Sequence, residues 1–197
     1  MHIKEELRIP TTMMREMDIR RIKAVLLYIL NEMPEGCRDV YHIVKTAFYA
    51  QKDHLVKYAL PLFNDKIVAL PFGPVPSLIY DVLKVARGDQ DSYRYYDEGL
   101  LSRLADPIES QYESFSSKEH PDMECLSASN VECLNAAIDV VSKMDFNSLM
   151  EKTHDNAWKS AYDNEGSHVM DNLLIAKENG ASEEVLAYLS DALEFDK

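Results

Sequence analysis

Apolar side chains recur at helical spacing along most of the chain, which predicts a largely helical protein. The first such segment begins after Asp18, a suitable N-cap, and ends at Met33-Pro34-Glu35-Gly36, where proline and glycine stop a helix. Asp39 is a suitable N-cap for a second, longer helix that runs to about Tyr58. The positions assigned to its buried face are Val40, Ile43, Val44, Ala47, Phe48, Leu55 and Tyr58.

A different pattern follows this helix. Residues 66–70 form a short apolar run with strand character, and residues 71–76 contain three prolines and one glycine. Proline fixes φ and lacks an N–H donor, whereas Gly73 can adopt backbone conformations closed to other residues. The pattern predicts one strand of a small hairpin or ribbon and then a stiff, apolar loop. A third helix is predicted from Pro76 to about Arg87, and Gly88 ends it.

The elements predicted for the second half of the chain are shorter. We expect a short strand at residues 93–96, a helical turn near Leu100 and a polar, mobile segment at residues 110–122. Ser129 and Glu132 have the spacing of a capping box and predict the start of another helix. Further helical segments are predicted at 146–153, around Trp158, at 168–178 and at 183–194, the last capped by Ser182.

These elements predict a mainly α protein, or an α+β protein with one small β-hairpin, containing about six to eight helices. We divide it into an N-terminal arm (1–16), a helical domain (17–163) and a C-terminal helical extension (164–197) packed on that domain. No apolar run approaches the roughly 18–20 residues that cross a bilayer. The first residues lack the apolar segment of a signal peptide, so a cytoplasmic location and no membrane partner are expected.

Charge is distributed unevenly along the chain. Residues 97–197 contain 7 Lys and Arg against 22 Asp and Glu, whereas residues 1–96 contain 14 against 12. An acidic surface repels nucleic acid and attracts basic proteins through long-range steering. We therefore expect no direct nucleic-acid partner and favour a basic protein partner, with solubility alone as the alternative explanation.

The sequence lacks the spacing of common catalytic, phosphate-binding and metal-binding motifs. It has no GxSxG, HExxH, GxGxxG or CxxC pattern. We expect no metal, no cofactor and no catalytic residue, and hence a protein that is not an enzyme. One alternative is a hydrolase in which His154 acts as general base, with Asp155 or Asp53 as its orienting carboxylate. A hydrogen-bonded structural histidine is the other interpretation.

Two parts of the chain carry a family resemblance. The first comprises residues 49–58, residues 68–77 with their Gly-Pro-Val-Pro sequence, and Tyr80-Asp81; the second comprises residues 149–158 with Thr153-His154 and Ala157-Trp158. Together they resemble the Panacea domain, which is found in SocA-like antitoxins and phage-associated GepA proteins. The resemblance covers about residues 38–163. The family often has glycine at Ala59 and Gly-Asp at Asn64-Asp65, so turn geometry is where this chain departs from it.

The resemblance implies a protein-binding function. It suggests a bacterial antitoxin that neutralises a cognate toxin by direct contact in a toxin–antitoxin system. The alternatives are an adaptor that delivers its partner to a protease complex, or a phage or mobile-element accessory protein; a homo-oligomer is also compatible with it. The segment 72–76 is expected either to contact the partner or to support the surface that does. The candidate partner-binding residues are Phe72, Gly73, Pro74, Val75, Pro76, Tyr80, Asp81, His154 and Trp158.

Overall fold

The computed structural model describes residues 14–89 and 96–195, with side chains described as far as residue 192. Most of the predicted arm and most of the predicted strand at 93–96 therefore lie outside the described residues. Within them the chain forms nine α-helices and two antiparallel two-stranded hairpins. The prediction of a mainly α fold with a small hairpin is confirmed, although the described helices exceed the predicted number by one and the second hairpin was not predicted.

The elements follow one another in a simple order along the chain. The helices are α1 (Glu16–Glu32), α2 (Val40–Tyr58), α3 (Ser77–Arg87), α4 (Glu98–Ala105), α5 (Ala128–Val141), α6 (Phe146–Thr153), α7 (Asn156–Tyr162), α8 (Asn172–Glu178) and α9 (Glu183–Phe195). Strand β1 (Ile67–Leu70) pairs with β2 (Gly73–Pro76), and β3 (Ile108–Gln111) pairs with β4 (Ser114–Ser117). Among the helices of the described ranges, none is long and apolar enough to cross a membrane.

Helix α2 lies at the centre of the fold. All of residues 43–51 are buried, because α1, α5, α8 and β2 contact the helix from different sides. Asp39 caps its start as predicted, since the Asp39 side chain accepts a hydrogen bond from the His42 backbone N–H. Tyr58, predicted to be buried, lies at the helix end, is 37% exposed and donates a hydrogen bond to Glu132.

Two helices begin earlier than predicted. Helix α1 begins before Asp18, which is buried within the first turn and accepts a 2.9 Å hydrogen bond from Arg15. Helix α5 is capped by Ser127, and Asn130 completes the capping box. Ser129, the predicted cap, instead bonds to His54 at 3.1 Å. His54 is thus held in a structural role, since its other ring nitrogen lies 2.8 Å from the backbone oxygen of Leu60.

The segment 110–122 was predicted as polar and mobile, and this was wrong for its first half. It contains the turn and second strand of the β3–β4 hairpin, and Phe115 is buried there. The two turn residues, Tyr112 and Glu113, both have positive φ, at 51° and 71°. That conformation normally favours Asn-Gly or Asp-Gly, so the turn lacked its usual signature in the sequence.

The β1–β2 hairpin explains the three prolines of the central segment. The predicted stiff loop is in fact a two-residue turn, Pro71-Phe72, followed by the buried strand β2. Leu70 pairs with Gly73 next to the turn. Because antiparallel positions alternate, Pro74 and Pro76 face away from β1, where the ladder requires no N–H donor.

The outer edge of β1 is covered by the chain that precedes α8. The Ala69 N–H donates to the backbone oxygen of His168, and the Met170 N–H donates to the backbone oxygen of Ile67, both at 2.8 Å. Helices α8 and α9 both contact α2. The hairpin is therefore fixed between α2 on one edge and residues 168–170 on the other.

Candidate functional site

The strand β2 lies close to α2 and α6 at Gly73. A Cβ atom on Gly73 would lie 2.6 Å from both Lys45 Nζ and Thr153 Oγ1, and 3.5 Å from His154 Cδ2. The residue also has a φ of +97°, which L side chains rarely adopt. Only glycine fits this position without displacing its neighbours. The contact joins the two parts of the chain that carry the family resemblance.

Lys45 is the buried cation of this region. Its side chain has no exposed surface, and its Nζ donates a 2.9 Å hydrogen bond to the backbone oxygen of Pro74. Nζ also lies 5.1 Å from the centroid of the Tyr41 ring. Burial lowers the pKa of Lys45 to about 7. The lysine therefore donates a hydrogen bond to a β2 carbonyl that faces away from β1. In return its ammonium group loses its hydration, which costs free energy.

His154 and Trp158 lie on one flank of the hairpin turn. Their rings are stacked, with centroids 3.7 Å apart and planes 2° apart, and Trp158 stacks in turn on Tyr162 at 4.6 Å. Trp158 Nε1 donates a 3.0 Å hydrogen bond to the backbone oxygen of Leu70, which anchors α7 to β1. Burial, and then the charge of Lys45, lower the pKa of His154. Its Nε2 is buried without a hydrogen-bond partner in the described part of the chain.

A second set of aromatic rings lies on the other flank of the turn. The Phe146 ring is 5.6 Å from Phe72 and 4.4 Å from Tyr41, measured between centroids. The Tyr41 hydroxyl lies 3.3 Å from the Phe72 carbonyl oxygen. Phe72 is 61% exposed and Phe146 is 41% exposed. We use the term aromatic patch for five residues in the turn or beside it: Tyr41, Phe72, Phe146, Trp158 and Tyr162.

Comparison with known proteins identifies the family. A family model described as "Antitoxin SocA-like, Panacea domain" matches residues 43–159, which is more than half of the chain. The chain belongs to this family. The matched range confirms the resemblance read from the sequence and contains the Gly73, Thr153 and Trp158 positions described above. No curated protein and no solved structure gives a significant match to the chain.

The predicted site residues of this Panacea domain take different positions. Phe72, Gly73, Pro74, His154 and Trp158 come together around the hairpin turn. Residues 73–76 are buried, so they support the surface without being exposed on it. Tyr80 and Asp81 lie on α3, where Lys84 contacts both: its Nζ is 2.5 Å from Asp81 Oδ1 and 4.6 Å from the Tyr80 ring centroid.

Four residues of the site were missed in the sequence: Lys45, Tyr41, Phe146 and Tyr162. Lys45 lies within a helix whose pattern marked only apolar residues as buried, and lysine is rarely fully buried. Tyr41 and Phe146 stand near the starts of two helices, where an aromatic residue carries no signal of exposure. Their contacts with Phe72 join segments about 30 and 75 residues apart in the chain, which no local pattern reveals.

A separate polar cluster fixes the base of the hairpin in this Panacea domain. Asp65 accepts hydrogen bonds from the Tyr96 hydroxyl at 2.6 Å, the Ser77 hydroxyl at 3.0 Å and the Leu78 N–H at 2.9 Å. Desolvation raises the pKa of Asp65 to about 6. Asp65 thus caps the start of α3 from the preceding loop. This structural role explains why three hydrogen-bond donors surround its carboxylate.

The hydrolase hypothesis depends on a carboxylate that orients His154. Asp155, its sequence neighbour, accepts a 2.9 Å hydrogen bond from the Trp158 N–H and so caps α7. In the described ranges no hydrogen bond joins His154 to a carboxylate, and no group of three or more His, Cys, Asp or Glu has the arrangement of a metal site. The hydrolase remains an untested alternative.

Proposed function

We propose that this chain is an antitoxin that neutralises a cognate toxin by direct contact in the bacterial cytoplasm, and that it catalyses no reaction itself. The observation that carries the proposal is the match of the antitoxin SocA-like, Panacea model to residues 43–159. A toxin encoded beside this gene, on a phage or another mobile element, is the expected partner.

The geometry of the hairpin supports a binding role. The turn is held by two prolines in β2, by the buried ammonium of Lys45 and by the Trp158 hydrogen bond. A surface that is already rigid loses less conformational entropy when a partner binds. Exposed aromatic side chains on such a surface are well suited to protein recognition, because tyrosine, tryptophan and other large rings provide much of the binding energy in protein interfaces.

Co-expression with the neighbouring genes tests the proposal. Each neighbouring open reading frame is induced alone and then together with this chain, and growth is measured. We expect one neighbour to arrest growth and the intact chain to restore it. If no neighbour is toxic, or if none is relieved, the antitoxin assignment is wrong.

Two further measurements separate direct neutralisation from its alternatives. If the chain acts by direct contact, the toxin level stays constant during rescue and the two proteins copurify; a proteolytic adaptor would instead shorten the half-life of the toxin.

A His154→Gln variant keeps a planar polar side chain but removes the general base. We expect it to restore growth as well as the wild type, whereas a hydrolase that depends on His154 would lose its effect.

A further inference from the structure

We infer that the aromatic patch is the toxin-docking surface, and that it binds a basic, apolar segment of the toxin: an aliphatic or aromatic side chain flanked by lysine or arginine. The inference rests on the proposed function, because it names the surface and the partner chemistry through which neutralisation takes place. Three observations carry it: the exposure of the rings, their fixed positions and the charge around them.

Several exposed apolar side chains lie at this turn. In the described residues, four large hydrophobic side chains that are at least 36% exposed lie on or beside the hairpin turn: Phe72, Phe146, Tyr162 and Val169. Val169 forms a bridge with Val68 of β1, so it continues the same surface. Singly scattered apolar residues are ordinary on a protein surface, but a contiguous group marks an interaction site.

The rings of the patch are held before any partner arrives. Tyr41 and Phe146 are in contact, and Phe72 packs against Phe146 while keeping 61% of its surface exposed. On the other flank the Trp158 hydrogen bond and the stacking of Tyr162 fix α7 against the hairpin. Large rings in fixed positions typically form the few residues that dominate the energy of an interface.

The charge around the patch determines which partner fits it. Residues 145–165 contain five acidic residues and two lysines, a net charge of −3. Four of these acids are exposed and form no ion pair within the described ranges: Asp145, Glu151, Asp163 and Glu165. Two of them adjoin the patch directly, since Asp145 precedes Phe146 and Asp163 follows Tyr162.

Several acids elsewhere in the molecule form ion pairs. Asp122 pairs with Arg20 at 2.7 Å, and Glu119 pairs with Lys23 at 2.9 Å. The acids beside the patch are therefore available to a basic partner, and charge complementarity of this kind selects partners and speeds their association. A second copy of this chain is disfavoured as occupant, because it would bring the same acidic rim to a molecule whose net charge is already −13.

The first experiment needs no knowledge of the toxin. A phage-displayed library of random peptides is selected on the purified full chain, and enriched peptides are measured against the wild type and three variants. Phe72→Ser and Phe146→Ser alter the patch. Tyr188→Ser is the matched control, because Tyr188 is 59% exposed but lies on α9. All three side chains are substantially exposed, so melting temperatures should stay within about 2 °C of the wild type.

We expect the enriched peptides to carry a positive net charge and at least one large apolar residue. Their affinity should fall roughly 30-fold or more in each patch variant and stay unchanged in the control. Enrichment of acidic peptides, or equal binding by all variants, would overturn the inference. So would self-association of the wild type in analytical ultracentrifugation that Phe72→Ser abolishes, because it would assign the patch to a second copy.

The second experiment repeats the growth assay with the same variants. We expect Phe72→Ser and Phe146→Ser to lose toxin neutralisation while Tyr188→Ser retains it. If the patch variants, shown to be folded, still neutralise the toxin, the docking surface is wrong and the antitoxin function stands. If the wild type neutralises no neighbour, the antitoxin function fails, and the peptide selection alone decides whether the patch binds basic, apolar segments.

Discussion

Gly73 shows how much a single missing side chain matters in this protein. Its backbone fits between Lys45 and Thr153 with no space for a Cβ atom, in a conformation that glycine tolerates best. We expect Gly73→Ala to lower the free energy of unfolding by about 2–4 kcal/mol, because the methyl group must displace a strand or two buried side chains. Urea denaturation provides the measurement.

The control for this prediction is Gly36→Ala. An added Cβ on Gly36 would meet no atom within 4 Å, and its φ is not positive. We expect a change within about 0.5 kcal/mol there. Equal effects at the two glycines would mean that the close approach at Gly73 is not what determines stability.

Lys45 makes stability depend on pH in an unusual direction. Its pKa is lowered to about 7 in the folded protein from 10.5, so the unfolded chain binds more protons between these values. The protein should therefore become more stable as pH rises through this range. At pH 7 the buried ammonium costs about 4 kcal/mol, and the hydrogen bond to Pro74 offsets part of this loss.

We expect Lys45→Met to raise the free energy of unfolding at pH 7 by about 1–3 kcal/mol, because the gain from removing the charge exceeds the loss of one hydrogen bond. This advantage over the wild type should shrink by about 2 kcal/mol between pH 7 and pH 9. Denaturation at several pH values measures both effects. Lys152→Met, at an exposed position of α6, is the control and should follow the wild-type profile.

At the scale of elements, the end of α2 carries a local strain. Its C-cap residue, Ala59, adopts a left-handed conformation with a φ of 54°. A left-handed alanine costs roughly 1–2 kcal/mol relative to its preferred conformation. We expect Ala59→Gly to stabilise the protein by about 1 kcal/mol. In the middle of α5, Ala136→Gly should destabilise the protein by a similar amount. Thermal unfolding would show that the first substitution raises the melting temperature and the second lowers it.

The elements were predictable from the sequence where a local signal determined them. Pro34, Gly36 and Asp39 mark the end of α1, the turn after it and the start of α2, and the predicted ranges of α3 and α6 agree closely with the structure. The β3–β4 hairpin escaped prediction because its turn consists of Tyr112 and Glu113, which have no turn preference. Ser127 displaced Ser129 as a cap because a distant residue, His54, bonds to Ser129.

The candidate site was only partly predictable, and the reason is physical. The Gly-Pro-Val-Pro, Thr-His and Ala-Trp sequences were recognisable as a family pattern before their contacts were known. Their convergence on Lys45, and the placement of Phe72 against Phe146, depend on how helices pack around α2. Periodicity reports whether a side chain faces inward, but it does not report which segment it meets there.

At the scale of the whole molecule, the acidic second half should govern how fast a basic partner binds. Long-range attraction between exposed charges is screened over about 10 Å at 0.1 M salt. We expect the association rate with a basic toxin to fall about 10-fold or more between low salt and 0.5 M salt, with a smaller change in the dissociation rate. Stopped-flow measurements give both rates, and an association rate independent of salt would show that this charge does not steer binding.

The prolines of β2 have a consequence for how this protein avoids aggregation. Exposed strand edges recruit further strands because they offer free N–H donors to another chain. The edge of β2 that faces α2 carries proline at both outward positions, so it has no such donor even when α2 moves away during unfolding or local opening. A partly unfolded molecule therefore cannot extend this hairpin into a larger sheet along β2. The Gly-Pro-Val-Pro sequence therefore protects the partly unfolded chain from aggregation, when tertiary packing no longer covers the strand edge.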